Sequence, residues 1–160
     1  MGIETDEHNP LNGLWDRAYQ VGVVVSDMNK AVSFYEAIGI GPFVEGPSLH
    51  ALDRRIYGKL EPDAEVTGRI APMGRIELEL MQPVRGRSIQ AEFLEKHGEG
   101  VIHICAYTDD IERDIELMAS KGFEVISTAQ FDDGGRFAYF DTREVGGLVL
   151  ELFQTGDSWK

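Results

Sequence analysis

The 160-residue sequence predicts an α+β fold of two tandem β-α-β-β-β modules whose strands join in one curved mixed sheet. Three observations predict it. Short runs alternate with strand periodicity, helix-period segments with capping residues fall between them, and the order of these elements occurs twice. An offset of 83 residues lays Gln20 on His103, Ser26 on Asp109, Asp27 on Asp110, Met28 on Ile111 and Gly39 on Gly122. An offset of 72 lays "RIELELMQ" on "GLVLELFQ", so that Leu78, Glu79, Leu80 and Gln82 meet Leu150, Glu151, Leu152 and Gln154. The smaller second offset means that the second copy has shorter loops.

In chain order, residues 1–16 read as a mobile acidic tail holding His8, and 17–83 as the first module. Its opening strand, "AYQVGVVV" (18–25), places Gln20, Gly22 and Val24 on one face and Tyr19, Val21, Val23 and Val25 on the other. Ser26 or Asp27 caps a helix on which Met28, Ala31, Val32, Tyr35 and Ile38 recur at helical spacing, and Gly39 stops it. Residues 40–72 are broken by glycine and proline into short strands and long loops. In 75–82, Glu77, Glu79 and Met81 share one face and Ile76, Leu78 and Leu80 the other, and Pro83 ends the strand. A linker and short helix fill 84–98, with Gly98 closing the helix and His97 placed to meet its dipole. The second module spans 99–155, with a strand at 101–107, a helix at 110–121 and strands near 123–129, 136–141 and 147–154. Residues 156–160 form a C-terminal tail.

Composition narrows the function classes. A formal net charge of -13 leaves no broad cationic surface for phosphates, which argues against nucleic acid as a partner. No apolar run approaches the roughly 18 residues of a membrane helix, and "MGIETDEHNP" is unlike a secretory signal, so a cytoplasmic location away from membranes is expected. The single cysteine, Cys105, lies in an apolar run and fits a buried thiol in a reducing compartment.

The duplication turns isolated polar residues into a set. Gln20 and His103 are equivalent positions on the opening strands, Glu79 and Glu151 on the closing strands, and all four point away from the aliphatic face. An isolated strand glutamate is usually solvated, as expected for the neighbouring Glu77. Four half-buried polar groups from four distant strands are costly to desolvate unless something pairs with them. One divalent metal would do so, with one nitrogen and three oxygen ligands; zinc is the first choice, and nickel, cobalt or manganese also suit this donor mixture. In "SLHALDRRIYGKL", His50, Arg54, Arg55 and Tyr57 are candidates to line the cup and hold a substrate carboxylate. Arg136, Tyr139 and Asp141 stand on a strand whose Phe137, Ala138 and Phe140 serve the core.

From about residue 17 to 155 the chain resembles the vicinal oxygen chelate superfamily, which includes glyoxalases, bleomycin resistance proteins and dioxygenases. "AEFLEKHGEGVIHICAYTDDIE" and "GGLVLELFQ" resemble methylmalonyl-CoA epimerases, whereas the quartet Gln20, Glu79, His103 and Glu151 is similar to the ligand set of zinc-type glyoxalase I. The resemblance implies a metal-binding cup, metal roles for these four residues, and a lyase or isomerase that stabilises an enolate or enediolate during proton transfer next to a carbonyl. It implies Glu151 as base, with Glu79 serving the opposite face, a small substrate bearing a carbonyl or thioester, and a homodimer. Epimerases of this type carry histidine where Gln20 and Ile102 stand, and Asp53 is the only acid in the 48–60 stretch that could match their separate acid-base glutamate. Two alternatives come with the resemblance. One is an extradiol-type dioxygenase, whose usual two histidines and one carboxylate Gln20 and Glu79 do not reproduce, and the other is a metal-free drug-binding protein.

Overall fold

The computed structural model describes residues 7–46 and 51–157. The first half runs through β1 (Ala18–Val24), α1 (Met28–Ala37), β2 (Val44–Glu45), a hairpin of β3 (Arg55–Ile56) and β4 (Lys59–Leu60), β5 (Glu65–Met73) and β6 (Ile76–Arg85). After α2 (Ile89–His97), the second half runs through β7 (Gly100–Tyr107), α3 (Ile111–Ser120), β8 (Val125–Gln130), β9 (Arg136–Phe140) and β10 (Val149–Gln154). All ten strands form one curled mixed sheet, in the order β2-β5-β6-β1-β7-β10-β9-β8-β3-β4.

The duplication is built into the pairing. β1 runs parallel to β6, as β7 does to β10, and β1 meets β7 antiparallel at the centre, with Gly22 opposite His103 and Gln20 opposite Cys105. Outward from this seam, β6, β5 and β2 mirror β10, β9 and β8. The β3–β4 hairpin breaks the symmetry. It belongs to the first half in sequence but pairs antiparallel with β8, Arg55 opposite Thr128 and Ile56 opposite Ser127.

Helix starts follow the capping residues. Asp27 Oδ1 accepts the Lys30 N–H at 3.0 Å, Asp110 Oδ1 the Arg113 N–H at 3.0 Å, and Ser88 Oγ the Ala91 N–H at 3.0 Å. Gly98, with a φ of 78°, ends α2 by donating its N–H to the Leu94 carbonyl. Contrary to the expected stop at Pro83, β6 continues to Arg85. Its pairing with β1 ends at Met81, so Pro83 stands where β6 has only β5 beside it and a missing N–H is tolerated.

Three apolar clusters result. On the convex face, α1 packs Met28 over Val23, Val25, Leu78 and Leu80, and α3 packs Ile111 and Met118 over Ala106, Ala138, Phe140 and Leu152. Burying a side chain such as Phe140 or Leu152 contributes about 1.5–3 kcal/mol. Leu11, Leu14 and Trp15, in the segment expected as a tail, pack against the α3 cluster. The third cluster fills the concave side with Val24, Ile56, Val66, Met81, Ile102, Phe137, Tyr139 and Phe153. No helix among the described residues is long and apolar enough to cross a membrane.

Candidate functional site

The concave face encloses a cavity of about 70 Å³, lined among others by Tyr19, Gln20, Arg54, Glu77, Glu79, Gln90, Phe137, Tyr139 and Glu151. Such a volume holds a few waters and is about half of the ~150 Å³ that admits a benzene ring.

Strand alternation and two β-bulges aim the polar groups inward. On β6, Glu77, Glu79 and Met81 face the cavity while Leu78 and Leu80 meet α1. Register slips between Ala18 and Gln20, leaving Tyr19 as an extra residue on β1, and both Tyr19 and Gln20 reach the cavity. Simple alternation predicts the opposite face for Tyr19; the bulge explains the difference. A second slip places Ile102 as an extra residue on β7, beside His103.

Gln20, Glu79, His103 and Glu151 are brought together at one atom. His103 Nε2 lies 3.1 Å from Glu151 Oε2, 3.4 Å from Glu79 Oε2 and 3.4 Å from Gln20 Oε1. The imidazole is fully buried, and the Glu79 and Glu151 side chains are only 15% and 7% exposed. Gly22 makes this possible: it lies opposite His103 on one side and Glu79 on the other, and a Cβ on it would occupy the space of the His103 ring. The Gly22 role was not legible in the sequence beyond its place on the Gln20 face.

Burial dominates the electrostatics. It lowers the His103 pKa to about 3, so the ring is neutral at ordinary pH. Burial, followed by the charge of Glu77, pushes Glu79 up to about 7. Glu151 is raised well above the usual carboxylate range by burial and then by Glu79, against the neighbouring Tyr139 hydroxyl, Cys105 thiol and Arg54 charge.

Among the described residues, no three His, Cys, Asp or Glu side chains stand in a ready-made cation cage. The donor chemistry of the quartet nevertheless fits a divalent cation. A neutral imidazole nitrogen carries at most one proton, so at most one of the three oxygens around Nε2 can accept a hydrogen bond from it. Glu151 Oε2 and His103 Nδ1 are both buried without a hydrogen-bond partner. A cation seated among these oxygens and the ring nitrogen would satisfy the acceptors together.

The remaining candidates separate. Arg54 lines the cavity and is 5% exposed. Arg55 is exposed, with its Nη1 near the Gly58 carbonyl, and Tyr57, at a φ of 48°, turns outward to donate its hydroxyl to Glu92 at 2.9 Å. His50 lies outside the described residues. Glu77, expected as a solvated neighbour, is instead half-buried in the cavity wall, where Gln20 Nε2 donates to it at 3.4 Å. Tyr139 and Phe137 face the cavity, whereas Ala138 and Phe140 face α3. Tyr139 stands directly opposite Glu151 across the β9–β10 ladder, a placement that needs the strand register as well as the period of two.

A family model described as the Glyoxalase/Bleomycin resistance protein/Dioxygenase superfamily matches residues 19–140. An uncharacterised protein of Bacillus subtilis strain 168, YqjC, is 24% identical over 139 residues, covering 86% of this chain and 91% of its own. Among solved structures, methylmalonyl-CoA epimerase from Mycobacterium tuberculosis is similar with a TM-score of 0.64 at 19% identity, covering 89% of each chain. A Streptomyces coelicolor methylmalonyl-CoA epimerase variant in complex with 2-nitronate-propionyl-CoA has a TM-score of 0.67 at 23% identity, covering 88% of this chain and 95% of that one. At these identities the two structures establish the shared fold. Paired modules, a curled mixed sheet and a family match over three-quarters of the sequence lead to one assignment: the chain belongs to the Glyoxalase/Bleomycin resistance protein/Dioxygenase superfamily.

Proposed function

We propose that the protein is an isomerase of the epimerase type, moving a proton at a carbon next to the carbonyl of a small acyl substrate, with a thioester as the first class to test. The observation that carries this reading is the pair of buried carboxylates, Glu79 and Glu151, held 3.4 and 3.1 Å from one imidazole nitrogen by strands on opposite sides of the central seam. Two carboxylates on two walls allow a proton to leave one face of a carbon and return to the other. The similarity to epimerases solved with methylmalonyl-CoA and with 2-nitronate-propionyl-CoA supports a thioester.

Gln20, Glu79, His103 and Glu151 would hold a divalent cation, zinc first among zinc, nickel, cobalt and manganese. When bound, it supplies Lewis-acid stabilisation of the negative charge that develops on the substrate carbonyl oxygen. The chain's own groups do the rest. Glu151, raised in basicity by burial, takes the proton; Tyr139 stands directly opposite it across the β9–β10 ladder. Glu79, on the other wall, serves the opposite face of the same carbon. Apolar Val66, Phe137 and Phe153 keep bulk water from the carbanion.

The test is metal analysis of protein purified without a metal-affinity tag, followed by deuterium exchange at the α-carbon of acyl thioesters in heavy water. The expected result is about one metal per chain, lost in His103→Ala, and exchange that depends on Glu151. Absence of exchange from metal-loaded protein across a panel of acyl thioesters would reject the proposal.

A further inference from the structure

The proton-transfer reading assigns no task to the cationic group in the cavity wall. Arg54 is the one basic side chain among the described residues that line the cavity, and it is 5% exposed. Its Nε is buried without a hydrogen-bond partner, and no acid among the described residues forms an ion pair with it. Burial lowers its pKa, and only the through-space charges of Tyr139 and Glu151 oppose that. A buried guanidinium in this state is costly, and replacing it by an apolar side chain would ordinarily be favourable.

The surrounding structure nevertheless holds it in place. Two residues after Arg54, Ile56 is fully buried, and β3 is bonded to β8 across the symmetry-breaking junction. The Arg54 carbonyl accepts the Glu61 N–H at 2.9 Å, and two residues before Arg54, Leu52 donates its N–H to the Gln130 carbonyl at 2.9 Å. The guanidinium carbon sits 5.5 Å from the centroid of the Phe137 ring, which orients the plane of the group. The crossing hairpin thus delivers a fixed, unpaired cation into a cavity whose opposite wall carries Glu77 and Glu79.

We propose that Arg54 is the specificity-determining residue of this cavity and binds a carboxylate of the substrate, distinct from the carbonyl beside which the proton moves. The placement of that carbonyl rests on the proton-transfer reading above; the anion class rests on Arg54 itself. A planar guanidinium matches a carboxylate with two parallel N–H···O bonds. A lone guanidinium balances the single charge of one carboxylate, whereas a phosphate group carries nearly two. The substrate is then a short acyl chain that ends in an acid.

The experiment uses full-length protein stripped of metal, so that no cation can hold the anion, and measures calorimetric binding and melting temperature with malonate, neutral malonamide and inorganic phosphate. Malonate is expected to bind and to raise the melting temperature of the native protein, with malonamide and phosphate at least tenfold weaker. Arg54→Met should melt at the same or a higher temperature than the native protein without ligand, yet bind malonate at least tenfold more weakly. A merely structural arginine would show the reverse, a lower melting temperature with malonate binding retained. Arg54→Lys, which keeps the charge but not the fork, should fall between the two.

Malonate binding within twofold of native in Arg54→Met, equal binding of malonamide, tighter binding of phosphate, or an Arg54→Met variant that does not fold would each overturn the assignment. Malonate binding with the expected Arg54 dependence, in a protein that exchanges no α-proton when loaded with metal, would instead overturn the proton-transfer reading and leave this one standing.

Discussion

In the first half of the chain, Gln82 Oε1 accepts the Met28 N–H at 2.8 Å where α1 begins, and Asp27 caps the helix; in the second, Gln154 Oε1 accepts the Ile111 N–H at 2.9 Å and Asp110 caps α3. These joints match atom for atom. The cavity faces of the same halves do not. The first half contributes the amide and acid wall, Gln20, Glu77 and Glu79, whereas the second contributes His103 and Glu151 backed by Phe137, Tyr139 and Phe153. The first half also sends its hairpin across to the edge of the second, with no reciprocal crossing. The comparison teaches that the two halves share the joints that build the scaffold, while their inward side chains differ, forming an acidic wall and an aromatic wall that carries the deeper carboxylate.

The sharpest way to break this comparison is to exchange the two carboxylates for amides, which keep an oxygen toward the cation. Glu151→Gln should cut α-proton exchange by about 10²- to 10⁴-fold, the usual contribution of a general base. Glu79→Gln should leave exchange of one enantiomer measurable while inversion is lost. Equal effects of the two variants on exchange and inversion would mean that the walls are functionally alike.

Gly22 tests the seam between the halves. Gly22→Ala pushes a methyl group into the space of the His103 ring, and displaced ligands typically lower metal affinity about 10- to 100-fold. Titration with cobalt, read from its visible absorbance, would show this independently of turnover. Unchanged affinity would show that the ring has another seat.

Acidity distinguishes the quartet without mutation. In metal-free protein, the folded pKa of Glu79 is raised from 4.5 to about 7, and that of Glu151 is raised as well. Folding therefore favours their protonated forms, and the stability they contribute below about pH 4.5 is lost as pH rises through the folded values. His103, lowered from 6.5 to about 3, acts in the opposite direction, adding stability above 6.5 that is lost as pH falls toward 3. Between 4.5 and 6.5 two carboxylates oppose one imidazole. Above 6.5 only the carboxylates titrate, so the melting temperature of EDTA-treated protein should fall most steeply from about pH 6.5 to 7, where Glu79 and Glu151 act together, and less steeply above that. Metal-loaded protein should lose this slope, because binding requires deprotonated ligands. A flat profile in the stripped protein would mean that the carboxylates are ionised without a cation.

The smallest effects should be the most symmetrical. Asp27→Ala and Asp110→Ala each remove one helix cap and should each cost about 1 kcal/mol in denaturant unfolding. A large difference between them would show that the two joints have diverged as well.

Much of the quartet was legible in the sequence. Leu78, Glu79 and Leu80 alternate as Leu150, Glu151 and Leu152 do, and a period of two assigns each glutamate to the face opposite its leucines whatever the sheet does next. The rest of the cavity wall was less legible. Tyr19 changes face through a bulge, and Glu77 is half-buried because the sheet curls over it and Gln20 bonds to it. Both depend on register and curvature, which are properties of paired strands.

The sequence by itself determined the repeated modules, a helix start at Ser26 or Asp27 with its counterpart at Asp109 or Asp110, and the inward direction of Gln20, Glu79, His103 and Glu151. These follow from interactions within a few residues: side-chain alternation, and short side chains that bond to backbone N–H groups three positions on. Only the tertiary structure decided that β3 adds to β8, that Arg54 is thereby buried over Phe137, and that Gly22 leaves room for the His103 ring. A strand edge can pair with any compatible edge, so the choice belongs to the closure of the whole sheet.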